Sequence, residues 1–254
     1  MKRAAAACAI LALTVGACGG GGGGDSNTRL DVAAAASLTK AVTAYATQFG
    51  NANHATVRVR FGGSDELAAQ IRQGVPTDVF LSADQKQPRT LHHGGAVQSP
   101  VTFTSNRLVV AAAKGGRVKT LSDLGSSGVK LAIGDRSVPI GEYAHYAIAR
   151  LPGVNPAVVL KNIRSEEPDV KSVVAKVAQG AADAGIVYVT DANAAKGELM
   201  TIAIPQSAQP RILYDAAVGS KSKQANLARR FIDGLRSGPG RTDLLNAGFL
   251  GAAR

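Results

Sequence analysis

Short apolar runs alternate with segments of helical spacing along most of the chain. Leu30 to Ala34 is an apolar run. From Ser37 to Phe49, Leu38, Ala41, Val42 and Tyr45 fall on one stripe, the spacing of an amphipathic helix. Thr56 to Phe61 sets Val57, Val59 and Phe61 against Arg58 and Arg60, the period of a strand. A short helix follows over Asp65–Gln73, ended by Gly74, then a buried strand over Asp78–Ser82 and a helix over Gln85–His93, stopped by Gly94 and Gly95. Further strands are expected at Leu108–Ala113, Val129–Ile133, Ala184–Val189, Ile202–Ile204 and Ile212–Val218. Helices are expected at Glu142–Arg150, Asp169–Gln179, about Lys223–Leu235 and Gly240–Leu245. Strands alternating with helices predict an α/β fold with largely parallel sheets and right-handed crossovers. Such folds place ligands at the carboxyl ends of strands, against helix N-termini.

The first residues break this pattern. Lys2 and Arg3 precede an apolar run from Ala4 to Val15, and Val15-Gly16-Ala17-Cys18 ends it with small residues and a cysteine. That order reads as a secretory signal over residues 1–17, removed from the mature chain. It is too short for a membrane span, which needs about 20 apolar residues. Cys18 at the cut point resembles the lipobox of bacterial lipoproteins, whose cysteine is lipidated. An ordinary signal with an incidental cysteine is the plainer alternative. Gly19 to Asn27 reads as a flexible leash with a reach of about 17 Å. Two or more acyl chains on Cys18 would anchor the domain to the outer face of the cell membrane.

Residues 18–254 number 237, one large domain or two modest ones. Cys8 leaves with the signal, so the mature chain has neither a disulfide nor a cysteine metal site. The net charge of +11 falls to +9 without Lys2 and Arg3. The basic residues are scattered and aromatics make up 4% of the chain, which argues against nucleic acid. A merely soluble basic surface and mild steering of anions both fit.

Two strand-to-helix junctions look alike. Ser37 follows Leu30–Ala36, and Gly62-Gly63-Ser64 follows Val57–Phe61. A serine there either caps its helix, worth about 1 kcal/mol, or turns its hydroxyl outward beside free backbone N–H groups, making an anion site.

Val32-Ala33-Ala34-Ala35-Ala36-Ser37-Leu38-Thr39 resembles the N-terminal motif of periplasmic molybdate-binding proteins. Phe61-Gly62-Gly63-Ser64 with Leu67-Ala68-Ala69-Gln70-Ile71 resembles their second motif, and Asp78-Val79-Phe80-Leu81-Ser82-Ala83-Asp84-Gln85-Lys86 their third. Gly134-Asp135 with Val138-Pro139-Ile140-Gly141-Glu142-Tyr143-Ala144 is similar to a later loop and helix, and Gly185-Ile186-Val187-Tyr188 with Asp191-Ala192 to the last motif. Five pieces in order are a specific match.

The resemblance implies a type II periplasmic-binding-protein fold: two lobes, each a mixed, mostly parallel sheet flanked by helices, hinged by two crossings. Lobe 1 would span 28–104 and 213–254, and lobe 2 would span 105–212. Ser37, Ser64 and Tyr188 would give hydroxyl donors to an oxyanion, and Ile140 and Val170 backbone donors. Val170 read alone is a core valine. The implied function is capture of molybdate, and of tungstate, for an ABC importer. The partners would be a permease and an ATPase, and the protein would act as a monomer without a cofactor, catalysis or a directly coordinated metal cation. Sulfate, phosphate or ferric ion are alternative cargoes, and a secreted two-lobed enzyme a more distant one.

The donor set suits such a ligand. A fully deprotonated dianion offers only acceptors, and burial makes each unmatched polar group costly. Asp65, after Ser64, departs from the expected small neutral residue; it either supports the helix's first turn or serves as an acceptor for a protonated anion. Ile140 is bulkier than the expected alanine. His92-His93 lacks a partner at metal-ligand spacing, and Tyr143 and Tyr146 are not the adjacent late pair of ferric-ion binders. No Gly-x-Ser-x-Gly, His-Glu-x-x-His or P-loop occurs.

Overall fold

Among the described residues ten strands divide equally between two sheets. The computed structural model describes residues 28–252. The signal, Cys18 and the glycine run lie outside the described residues.

The first sheet has the order β2-β1-β3-β10-β4, from β1 (Thr28–Ala35), β2 (Ala55–Gly62), β3 (Val79–Ser82), β4 (Val101–Asn106) and β10 (Ile212–Val218). The second has the order β7-β6-β8-β5-β9, from β5 (Leu108–Ala113), β6 (Leu131–Gly134), β7 (Ile163–Glu167), β8 (Ala184–Tyr188) and β9 (Leu199–Ala203). The chain crosses between Asn106 and Leu108 and returns between Ala203 and Ile212.

Both sheets are mixed, but parallel pairing is half of each rather than most of it. β1 pairs in parallel with β2 and β3, while β10 runs antiparallel to β3 and β4. β6 pairs in parallel with β7 and β8, while β5 runs antiparallel to β8 and β9. The antiparallel partners flank the two crossings, where the chain passes between sheets without a returning helix. Parallel pairing needs such a crossover.

β1 lies between two strands and is apolar on both faces; Leu30, Val32, Ala33 and Ala34 are fully buried, which explains a continuous run rather than alternation. β2 is an edge strand and keeps its alternation. Helix α1 (Thr39–Asn53) buries Ala41, Val42, Tyr45 and Phe49. Tyr45 and Phe49 meet Phe231 of α8 (Ala225–Ser237) with centroids 4.7 and 5.0 Å apart, each pair worth about 0.5–1.5 kcal/mol beyond area burial. Helix α9 (Pro239–Ala247) packs beside α1 and α8.

Helices α2 (Ser64–Arg72) and α3 (Lys86–His93) complete the first unit. Helices α4 (Pro139–Ile148), α5 (Pro156–Lys161), α6 (Val170–Ala178) and α7 (Val189–Ala194) belong to the second. Helix α4 starts three residues earlier than expected. Pro139 occupies its first turn, where the missing N–H costs nothing. The sequence reading did not anticipate β4, β7, α5 or α7.

Candidate functional site

The strand ends and helix starts of the two sheets meet at one small cavity. It is lined by Ser37, Ser64, Ile140, Val170 and Tyr188, together with Gly62, Gly63, Ala83 and Asp169 among others. The five residues expected to bind ligand are thus brought together from five different segments. The space open to the centre of a water-sized sphere is about 20 Å³, room for a group of a few atoms and far below a drug-sized site. The lining contains no lysine, arginine or histidine.

Ser37 sits in a 3-10 turn, Ala36–Leu38, between β1 and α1, and its side chain does not cap the helix. Its Oγ lies 2.9 Å from the Tyr214 hydroxyl. Ser64 is the first residue of α2 and makes no cap either. Its Oγ accepts the Ala83 N–H at 3.0 Å, which leaves its own hydrogen free to donate. The plain-cap reading fails for both serines.

Tyr188 ends β8 and is 1% exposed, yet its hydroxyl has no hydrogen-bond partner among the described residues. Burial, then the neighbouring Tyr214 and Tyr143, push its pKa well above the ordinary value. The hydroxyl therefore stays protonated, a donor without an acceptor in a cavity wall.

Val170 is the first residue of α6 and Ile140 the second of α4, positions whose backbone N–H groups have no partner within the helix. The Asp169 carboxylate turns back to accept the Ser172 N–H at 2.9 Å, capping α6 through its third amide. Ile140 reaches the cavity because glycines face it. A Cβ on Gly134 would stand 2.7 Å from the Gly141 nitrogen and press into the Ile140 side chain. The bulk of Ile140 thus lies against the end of β6. Both Ile140 and Val170 are buried at 3% exposure, so each serves the core with its side chain and the cavity wall with its backbone.

The family model for bacterial extracellular solute-binding proteins matches residues 30–250. The chain belongs to this family. Within it, this solute-binding protein is 36% identical over 222 residues to the molybdate-binding protein ModA of Mycobacterium tuberculosis, covering 86% of this chain and 83% of that one. Its fold is similar to the periplasmic molybdate-binding protein of Azotobacter vinelandii, with a TM-score of 0.78 and 25% identity, covering 87% of this chain and 98% of that one. It is also similar to the substrate-binding domain of a putative molybdenum ABC transporter from Clostridium difficile, with a TM-score of 0.68 and 29% identity, covering 89% of this chain and 100% of that one. These relatives are binding proteins; the chain is likewise a solute-binding protein, not an enzyme. The solute-binding protein belongs outside the cytoplasm, as its family description states. Among its described residues no helix is long and apolar enough to cross a membrane.

The two halves of the solute-binding protein also touch directly. The Tyr143 hydroxyl donates to the Ala83 carbonyl at 3.4 Å, and Lys86 stands 3.8 Å from Glu142 at the exposed rim. Gly63 packs so closely that a Cβ would lie 2.7 Å from the Pro168 carbonyl oxygen. Asp65 sits in the first turn of α2 and is not among the lining residues. Neither His54 nor His145, the histidines that a two-lobed enzyme would pair with Asp65 as acid and base, lines the cavity. His92 and His93 end α3, and Tyr146 is exposed beneath the Arg150 guanidinium.

Tyr214 and Asn106 stand behind Ser37 and were missed by sequence reasoning. Tyr214 lies inside a buried strand, where a tyrosine reads as core, and nothing local signals that its hydroxyl meets a residue 177 positions away.

Proposed function

We propose that the protein captures a small tetrahedral dianion, molybdate and by the same chemistry tungstate, and delivers it to the permease and ATPase of an ABC importer. The observation that carries this reading is the donor set. Two serine hydroxyls and the unpartnered Tyr188 hydroxyl line one cavity, beside the first amides of α4 and α6. Such a wall matches an anion that is all acceptor, at positive helix ends. The similarity to molybdate-binding relatives supports the cargo.

In this reading residues 28–104 and 213–254 form one lobe and 105–212 the other, closing over the ligand about the two crossings. The protein works as a monomer, tethered through lipidated Cys18. Mass spectrometry of the protein from its native membrane should find acyl chains on Cys18; an unmodified cysteine or an uncleaved signal would discard the anchor.

Thermal unfolding with molybdate, tungstate, sulfate, phosphate and ferric citrate in turn tests the cargo. A ligand at a hundredfold excess over its dissociation constant adds about 2.7 kcal/mol, raising the midpoint by about 5–11 °C for a chain of this size. A shift with molybdate and tungstate but not sulfate supports the proposal. Sulfate presents the same acceptors, so the cavity's dimensions carry that discrimination. A shift with phosphate or iron alone would replace the cargo.

A further inference from the structure

Behind Ser37 runs a chain of hydrogen bonds whose direction is fixed at its far end. The Arg107 N–H, in the crossing between β4 and β5, donates to Asn106 Oδ1 at 2.8 Å. That contact orients the amide, leaving its Nδ2 as the donor. Nδ2 reaches Thr190 Oγ1 at 3.0 Å and the Tyr214 hydroxyl at 3.4 Å. The Tyr214 oxygen accepts from Asn106, and because Nδ2 can only donate, the acceptor that the Tyr214 hydrogen reaches among the described residues is Ser37 Oγ, 2.9 Å away. Accepting that hydrogen, Ser37 does not spend its own on Tyr214 and keeps it for the cavity it lines. Every member of the chain is buried apart from the partly buried Arg107 amide, so no competing water is needed to explain its polarity. Burial also raises the Tyr214 pKa, which keeps the hydrogen on the relay.

We infer that Asn106 and Tyr214 are specificity-positioning residues: they lock Ser37 as a donor, and so set the site against oxyanions that carry a proton. This rests on the oxyanion reading of the cavity. A fully deprotonated anion meets only donors. A protonated one, such as hydrogen phosphate or hydrogen arsenate, brings an O–H that needs an acceptor, and a Ser37 whose hydrogen is turned into the cavity meets it donor to donor. Leaving that group unpaired in a buried site is costly. Removing the Tyr214 hydroxyl frees the Ser37 lone pairs, so the serine turns either way.

The test is calorimetric titration of the protein and its Tyr214→Phe variant with molybdate, sulfate, phosphate and arsenate at mildly alkaline pH, where only the last two keep a proton. The expected result is a fall of about tenfold or more in the affinity ratio of sulfate to phosphate and of molybdate to arsenate, with the molybdate-to-sulfate ratio unchanged. In a Ser37→Ala background the same substitution should leave all ratios alone. Equal weakening of all four anions, or no change, would overturn the inference and assign Tyr214 to packing. If Tyr214→Phe does not fold, Asn106→Asp replaces the donor by an acceptor. It should shift the sulfate-to-phosphate ratio in the same direction, and because both anions are doubly charged the added carboxylate repels them alike. An unchanged ratio there also overturns it. Failure of the unmodified protein to bind any of the four sinks the oxyanion reading itself. Binding with unaltered ratios in the variants sinks only the relay.

Discussion

The Ala83 amide donates to Ser64 Oγ at 3.0 Å, tying the residue after β3 to the first residue of α2. Ser64 thus serves the fold with its lone pair and the cavity with its hydrogen. Ser64→Ala should damage both. It strands a buried donor, at about 1–3 kcal/mol of stability, and removes a bond to a charged ligand, at about 1.5–3 kcal/mol of affinity. Urea unfolding and calorimetric titration with molybdate read the two separately. Ser37→Ala should lower affinity in the same range. Undiminished binding in both variants would dismiss the site assignment.

The parts of this site that were legible in the sequence are those with a local signal. Ser37 and Ser64 follow apolar strands and precede helical stripes, and Asp169 announces the helix that offers the Val170 amide. The missed elements share a physical reason. β4 reads Val-Thr-Phe-Thr-Ser-Asn, yet it is buried from Phe103 onward. Thr104 and Ser105 bond to the C-terminal backbone and Asn106 to Thr190, partners that only the folded chain supplies. β7 is an edge strand carrying Arg164, Glu166 and Glu167, so its charges hide its alternation. α7 follows β8 at once and spans six residues, too few to show a period. The orienting role proposed for Tyr214 depends on a contact between residues 177 positions apart, which no local pattern encodes.

Gly63→Ala isolates closure of the two lobes. Gly63 has φ −61° and ψ 140°, which any residue adopts, so the substitution brings no backbone strain. Its Cβ would stand 2.7 Å from the Pro168 carbonyl oxygen across the lobe boundary and 2.8 Å from Asp65 Oδ1, a side-chain end that can turn aside. The backbone there yields only if the lobes separate. The variant should fold with near-normal stability, bind molybdate at least tenfold more weakly, and show a larger radius of gyration by small-angle scattering with ligand present. A variant as compact and as tight as the parent would mean that the closed contact relaxes without opening.

Tyr188→Phe should have opposite effects on the free and bound protein. The Tyr188 hydroxyl has no partner among the described residues, so the free fold loses no internal hydrogen bond with it. Removing it should leave the ligand-free unfolding midpoint unchanged or higher. The molybdate-induced rise in midpoint should shrink, because the bound anion loses one donor. Thermal unfolding with and without ligand measures both. A lower midpoint in the free variant, with an undiminished ligand shift, would return Tyr188 to the core.

Asp191 predicts how stability depends on pH. It is buried in the first turn of α7. Loss of solvent raises its pKa to about 7, with Asp169 adding to the rise, while the Thr190 hydroxyl and Lys171 oppose it. Tyr188 and Tyr214, on which the Asp191 charge acts, stay neutral throughout this range. An unfolded aspartate titrates near about 3.9. Between about pH 4 and 7 the folded chain therefore holds a proton that the unfolded chain has released. The unfolded state binds fewer protons, so stability falls as pH rises through that window and levels off above it. Asp191→Asn should remove this component alone. Chemical unfolding of both proteins across the window should give a difference, parent minus variant, that declines steadily from pH 4 to 7 and then flattens. A flat or rising difference would mean that Asp191 is already ionised in the fold, held by Lys171 across the α6–α7 contact.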